Sequence, residues 1–251
     1  MSASELSGKV SMVTGSAMGI GRVIALKLAS LGSRVAINDL PGGDGGQKTR
    51  MEIEELGGEA MLALADIRDG AAVKTAVESV VDRWGRIDIL INNAAIGGAG
   101  RPVVNTAEEE WDSILNTNLR GAFLCSKYCL PHMIDAGWGR IINIASIAGT
   151  RGTPGKVGYS ASKGGLIAFT RSLSREAGVY NVTVNAIAPG FIVTEKTQGQ
   201  LSKIRDTVLA RNSLKRLGTP EDVAELTAFL VGVRAGFITG QVICVDGGET
   251  A

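Results

Sequence analysis

Short apolar runs, many of them β-branched, alternate along this chain with longer segments whose apolar positions recur at helical spacing. The runs Val10–Val13, Arg34–Asn38, Ala60–Ala65, Ile87–Asn92, Arg140–Ala145, Thr183–Ile187 and Gln241–Val245 read as strands. Ile20–Leu31, Gly45–Leu56, Ala71–Trp84, Thr106–Ala136, Val157–Ala177 and Pro220–Val231 read as helices. Strands that are continuously apolar, rather than alternating, are buried on both faces. Repeated β-α-β units therefore predict an α/β fold, a parallel sheet with helices on both sides, in a single domain spanning 1–251. One segment breaks the rhythm. From Pro189 to about Leu217 the chain is polar and lacks a clear strand. It follows the C-terminal end of a strand, where ligands of α/β sheets bind. A lid over about 190–217 is expected, with Glu195–Ala210 forming one or two short helices over a pocket.

Composition narrows the chemistry. The 251 residues are 45% apolar, enough for one large core, and the net charge is +1 with both signs interspersed. That balance gives no electrostatic case for nucleic acid or an anionic membrane surface. No apolar run approaches the ~20 residues of a membrane helix, and the N-terminus lacks a signal-peptide pattern. A cytoplasmic protein is the expectation. Cys125 and Cys129 sit i, i+4 on an apolar helix, and the total of 3 cysteines argues for buried free thiols over a disulfide framework. His132 is the single histidine, which excludes Ser-His-Asp and Cys-His catalysis and leaves a metal site without ligands. Proton chemistry must use another side chain.

Tyr159-Ser160-Ala161-Ser162-Lys163 offers one. At i and i+4 the phenol and the ammonium share a helix face. A neighbouring ammonium favours phenolate and is expected to pull the tyrosine below its ordinary value of roughly 10. Such a group can give and take a proton near neutral pH.

The first strand leads into Thr14-Gly15-Ser16-Ala17-Met18-Gly19-Ile20-Gly21, which opens the first helix. Glycines there let the backbone turn sharply and approach a pyrophosphate, which the helix N-terminus stabilises. Asp39 ends the second strand and can hydrogen-bond the ribose hydroxyls of an adenosine while repelling a 2′-phosphate. Met18 and Leu40 stand where a basic residue could compensate. The pattern favours NAD(H), with NADP(H) as the weaker alternative.

With these pieces in place, the chain resembles a short-chain dehydrogenase/reductase over nearly its whole length. Thr14–Gly21 resembles the family's cofactor loop, and Asp66, with Ile67 beside it, the adenine-binding acid after the third strand. Asn92-Asn93-Ala94-Ala95 resembles the family's Asn-Asn-Ala-Gly motif, with Ala95 in place of glycine. Asn118 resembles the active-site asparagine and Ser146 the catalytic serine. Pro189-Gly190 resembles the turn after the sixth strand, with Ile192 and Thr194 at the positions holding the nicotinamide carboxamide. The resemblance implies a Rossmann fold of seven parallel strands in the order 3-2-1-4-5-6-7. It implies catalysis by Asn118, Ser146, Tyr159 and Lys163, in which Tyr159 exchanges the proton and Ser146 stabilises the substrate oxygen. Lys163 would also reach the nicotinamide ribose, and Asn118 would anchor a water beside it. A homotetramer is implied too, assembled mainly through Thr106–Ala136 and Val157–Ala177.

The substrate is less defined. The overall pattern is closest to 3-oxoacyl-(acyl-carrier-protein) reductases, including Arg216-Leu217-Gly218-Thr219-Pro220-Glu221-Asp222. Those relatives dock an acidic carrier protein on basic residues and usually take NADPH. Here the corresponding positions are Gly137-Trp138 and Tyr180, without positive charge. A small or medium secondary alcohol or ketone is favoured: a sugar, a cyclic alcohol or a hydroxy acid. Pocket walls are expected from Ile96–Gly100, Ile147–Val157 and the lid; Arg151 and Lys156 could meet an anionic substrate there, but read more readily as solvated loop charges. A nucleotide-sensing scaffold without turnover is the alternative from another class.

Overall fold

The computed structural model describes residues 5–251, without the side chains of Gln200 and Lys203. Its sheet consists of β1 (Val10–Thr14), β2 (Arg34–Asn38), β3 (Ala60–Leu62), β4 (Ile89–Asn92), β5 (Gly139–Ile144), β6 (Val182–Pro189) and β7 (Val242–Val245). All pairings are parallel, in the order β3-β2-β1-β4-β5-β6-β7. The helices are α1 (Gly19–Ser30), α2 (Gly45–Glu55), α3 (Gly70–Trp84), α4 (Glu108–Leu115), α5 (Gly121–Asp135), α6 (Ile147–Arg151), α7 (Val157–Ala177), α8 (Leu201–Arg211) and α9 (Pro220–Val231).

Successive strand residues point to opposite faces, and here both faces are covered. Ile89 and Ile91 join Ile142 and Ile144 under Ile24 and Leu28 of α1 and Val223 and Ala228 of α9. Leu90 and Ile141 face the other way, against Val77 of α3, Leu124 of α5 and Leu173 of α7. The unbroken apolar strand runs are the sequence signature of these two cores. Cys125 and Cys129 are free and buried in the second, where burial pushes the Cys125 thiol up to about 12. Cys244, by contrast, is exposed, because β7 is an edge strand.

Three expectations require correction. Thr106–Ala136 is not one regular helix: a π-turn at Asn116–Arg120 separates α4 from α5. The strand expected over Ala60–Ala65 is regular only to Leu62, although Ala63 N and Ala65 N still donate to Ile37 O and Asp39 O. Finally, α6 begins directly after Ser146 and was not expected.

The polar insert carries two short helical elements. Gln198–Gln200 forms a short 3-10 turn and α8 follows it. Its two ends are pinned together, since Val193 N donates to Gly218 O at 2.9 Å and Gly218 N to Phe191 O at 3.2 Å. Arg216 clamps Asp222 through two hydrogen bonds of 2.7 Å, holding that carboxyl at about 2, below the usual carboxylate range. Pro220 occupies the first position of α9, where its missing N–H costs nothing. Among the described residues no helix is long and apolar enough to cross a membrane. No group of His, Cys, Asp and Glu there could hold a metal ion.

Candidate active site

A cleft of about 790 Å³ runs along the C-terminal ends of the strands. Gly15, Met18, Gly19, Ile20 and Gly21 line one part, and Asp39, Leu40, Asp66 and Ile67 the end beside it. Asn93, Ala94 and Ala95 form its middle, and Ser146, Tyr159 and Lys163 its reactive end. Pro189, Gly190, Ile192 and Thr194 close it from the lid side.

The glycine loop is shaped for a close ligand. Gly15 and Gly19 adopt positive φ (+62° and +56°), conformations that glycine reaches without steric cost. No side-chain oxygen caps α1, so its first amides are left for a ligand. Asn93 ties the loop to β4, its Nδ2 donating to Thr14 O at 2.8 Å and to Gly15 O at 3.1 Å. Backbone N–H groups of Asn93 and Ala94 both donate to Thr14 Oγ1 at 3.0 Å. A Cβ at Gly21 would lie 2.3 Å from Gly15 O and 2.4 Å from Asn93 Nδ2. Gly21→Ala is therefore expected to open the loop, costing roughly 1–3 kcal/mol of stability and about tenfold or more in dinucleotide affinity. Thermal melts and fluorescence titration with NADH check this, and an unchanged melt with unchanged affinity would contradict the packing.

Ser16 does not line the cleft. Its side chain is buried, and its Oγ donates to Val13 O at 2.8 Å, so it braces the loop from behind. Arg68 does line it, two residues beyond Asp66, and grips that carboxylate with Nε at 3.0 Å from both oxygens. This pairing holds the Asp66 carboxyl below the usual carboxylate range. Asp39 makes no ion pair among the described residues and keeps its carboxylate for a ligand.

At the reactive end, α6 and α7 touch backbone to backbone. A Cβ at Gly149 would meet the Lys163 carbonyl carbon at 2.6 Å. That contact draws Ser146, the N-cap of α6, towards Tyr159 on α7. Ser146 Oγ accepts from Ala148 N at 3.1 Å. Lys163 is 2% exposed, and its Nζ donates to Ile144 O at 2.6 Å, 5.8 Å from the centre of the Tyr159 ring.

Electrostatics at this pair differ from the sequence expectation. Burial pushes the Tyr159 phenol up, offset in part by the Ser146 hydroxyl that favours its anion. Burial also lowers the Lys163 ammonium to about 8. The i, i+4 spacing correctly placed the two groups together. It carried no information on desolvation, which is the larger influence on the phenol here.

Asn118 lies in the π-turn, a geometry often found at functional sites. It is buried and does not line the cleft. Its Nδ2 donates to Ile96 O and to Ser162 Oγ at 3.0 Å, and its Oδ1 accepts from Ile96 N at 2.8 Å. With Ser162 Oγ donating to Tyr159 O at 2.8 Å, Asn118 couples the loop after β4 to the turn carrying Tyr159. Its side-chain amide is engaged at both ends by these hydrogen bonds.

Sequence reasoning missed Ser113 and Thr117 as cleft residues, whereas Phe191 and Lys196 fall within the Pro189–Leu217 segment expected to wall the pocket. Thr117 lies one position before Asn118, a proximity that could have marked it. Lys156, expected as a solvated loop charge, lines the cleft, whereas Arg151 is turned away to pair with Glu249.

A family model described as enoyl-(acyl carrier protein) reductase matches residues 15–250. A 3-oxoacyl-(acyl-carrier-protein) reductase of Staphylococcus epidermidis is 40% identical over 240 residues, covering 96% of this chain and 98% of that protein. The chain belongs to the short-chain dehydrogenase/reductase family. A family structure from Sinorhizobium meliloti, assigned as a short-chain alcohol dehydrogenase, superposes with TM-score 0.93 at 37% identity, covering 99% of this chain and 98% of that one. Another, assigned as a gluconate dehydrogenase of Agrobacterium tumefaciens, gives 0.95 at 30% identity with both chains fully covered. This short-chain dehydrogenase/reductase is an oxidoreductase acting on CH–OH groups, with a nicotinamide dinucleotide as the family's cofactor.

Proposed function

We propose that the protein interconverts a secondary alcohol and a ketone with NAD(H), using Tyr159 as general acid and base. The observation that carries this reading is one cleft with Tyr159, Ser146 and Lys163 at one end and an unpaired Asp39 at the other. The open glycine cradle and uncapped α1 N-terminus fit the pyrophosphate between them. When bound, the nicotinamide supplies or accepts the hydride at the carbinol carbon. In reduction, Tyr159 Oη gives its proton to the oxygen that gains the carbonyl electron pair. Ser146 Oγ donates a hydrogen bond to that same oxygen as charge develops. In oxidation, the tyrosinate takes the alcohol proton back. Lys163, while protonated, favours that tyrosinate.

Asp39 supports NADH over NADPH because a carboxylate repels a 2′-phosphate and accepts from ribose hydroxyls. Asp39→Ser is expected to erase about tenfold of the NADH preference in dissociation constants read by nicotinamide fluorescence. Tighter NADPH than NADH binding in the wild type would overturn the assignment.

Reduction of 3-oxoacyl groups on acyl carrier protein is the second reading, favoured by the identity to reductases of that name in S. epidermidis and Thermotoga maritima. Against it, Trp138 is half-buried between Lys9 and Arg140 and Tyr180 lies on the surface, neither offering a cation to an acidic carrier. Comparing acetoacetyl-carrier protein with acetoacetyl-CoA decides between them: strong preference for the carrier-bound form rejects the small-molecule reading. The homotetramer expected from the family is part of the proposal. Phe123 on α5, Trp111 on α4 and Phe237 before β7 are large apolar groups at the surface, as such contacts require.

A further inference from the structure

Lys156 places a cation at the substrate end of the cleft. It lines the cleft together with Tyr159, Ser146, Gly97 and Thr117. Its Nζ is 5.9 Å from the centre of the Tyr159 ring. On the opposite wall, a Cβ at Gly97 would come within 3.9 Å of that Nζ, so the ammonium spans the opening over the phenol. Among the described residues it has no acidic partner within ion-pair distance. The acid on the same wall, Glu110, is spent on the backbone, its Oε1 accepting from Ala99 N at 2.6 Å.

A role in helix stability does not account for the residue. Lys156 precedes α7, whose first turn contains no acid, and a cation is unfavourable at the positive end of a helix. Of the other cleft cations, Arg68 is held by Asp66, Lys163 donates to Ile144 O, and Lys196 belongs to the pyrophosphate end. Its neighbours Thr194 and Glu195 lie 3.5 and 3.8 Å from where a Cβ at Gly19 would stand. Arg151 is held by Glu249. Among the described residues, that leaves Lys156 to meet a substrate whose carbonyl rests against Tyr159.

We propose that Lys156 recognises a carboxylate on the substrate, so that the protein acts on short oxo and hydroxy acids rather than neutral ketones and alcohols. This rests on the oxidoreductase reading and narrows it to one substrate class. A carboxylate would neutralise the unpaired ammonium beside the phenol and fix which face of the carbonyl is presented. Because its contact is with the non-reacting end of the substrate, its loss should fall on KM and leave the pH dependence of kcat, set by Tyr159, in place.

The test uses 2-oxobutanoate, 3-oxobutanoate and 4-oxopentanoate, each against its methyl ester, with NADH. The best acid should exceed its ester by about tenfold or more in kcat/KM, while Lys156→Gln removes that advantage through KM and leaves the ester within about twofold. Lys156→Arg should restore part of it. Equal use of acid and ester by the wild type would overturn the proposal. So would a Lys156→Gln loss shared equally by both, or a shifted pH profile of kcat, either of which places its action on Tyr159. If none of the six compounds consumes NADH, the oxidoreductase reading is what fails. Calorimetric titration of the same pairs into the NADH-loaded wild type and Lys156→Gln then decides separately: acid-selective binding lost in the variant supports Lys156, and absence of selectivity rejects it.

Discussion

Tyr159→Phe is expected to lose turnover by roughly 10²–10⁴-fold, the range removed with a positioned general acid, while the affinity for NADH stays within about twofold. The proposed mechanism takes its proton from the phenol oxygen, since the neighbouring Lys163 ammonium is committed to Ile144 O. The ring's packing survives the substitution, so binding is spared. The raised phenol adds a directional signature. Ketone reduction needs the protonated form, which prevails at neutral pH, whereas alcohol oxidation needs the tyrosinate. Oxidation should therefore climb with pH through the neutral and mildly alkaline range while reduction stays flat. Steady-state rates in both directions check this, and near-wild-type turnover by Tyr159→Phe would remove the tyrosine from the mechanism.

Lys163→Met should be as damaging to turnover, by about 10²-fold or more, yet more stable than the wild type near neutral pH. Burial lowers the lysine from 10.5 to about 8 in the folded chain. Below about pH 8 it is charged in both folded and unfolded states, and the full cost of burying that charge is present. Between about 8 and 10.5 the unfolded chain binds the extra proton, so wild-type stability rises with pH. Above that window both states are neutral and the cost is gone. The depression corresponds to roughly 3 kcal/mol, from which the lost hydrogen bond to Ile144 O, about 1 kcal/mol, is subtracted. Denaturant melts of the two proteins across this range should show the variant's advantage shrinking as pH rises. Parallel curves would mean that the lysine binds its proton equally well in the folded and unfolded chain, so that burial does not lower it.

The architecture was legible because burial on both sheet faces leaves a strong mark. Ile89-Leu90-Ile91 could satisfy two cores only as a central parallel strand. The α7 span was also read correctly, since its periodicity runs without interruption. The π-turn at Asn116–Arg120 left no such mark, because one extra residue in a turn preserves a helix-like apolar pattern. The five residues of α6 were too few to show a period. At the site, spacing established that Tyr159 and Lys163 are neighbours but was silent on the dielectric around them. The phenol accordingly moves up where the pair alone suggested down. Ser16 and Asn118, expected at the site, do not line the cleft, and their side chains turn inward as braces. Lys156 and Arg151 were weighed both as partners of an anionic substrate and as solvated loop charges; only the fold separates them, Lys156 lining the cleft while Arg151 pairs with Glu249.

The most direct test follows nicotinamide absorbance across a panel of ketones, oxo acids and secondary alcohols with both dinucleotides, using the wild type and Tyr159→Phe side by side. The account predicts substrate-dependent NADH oxidation or NAD⁺ reduction by the wild type, weaker with the phosphorylated dinucleotide and nearly absent in the variant. A wild type that binds NADH but turns over nothing in the panel, or a variant that matches it, would contradict the account.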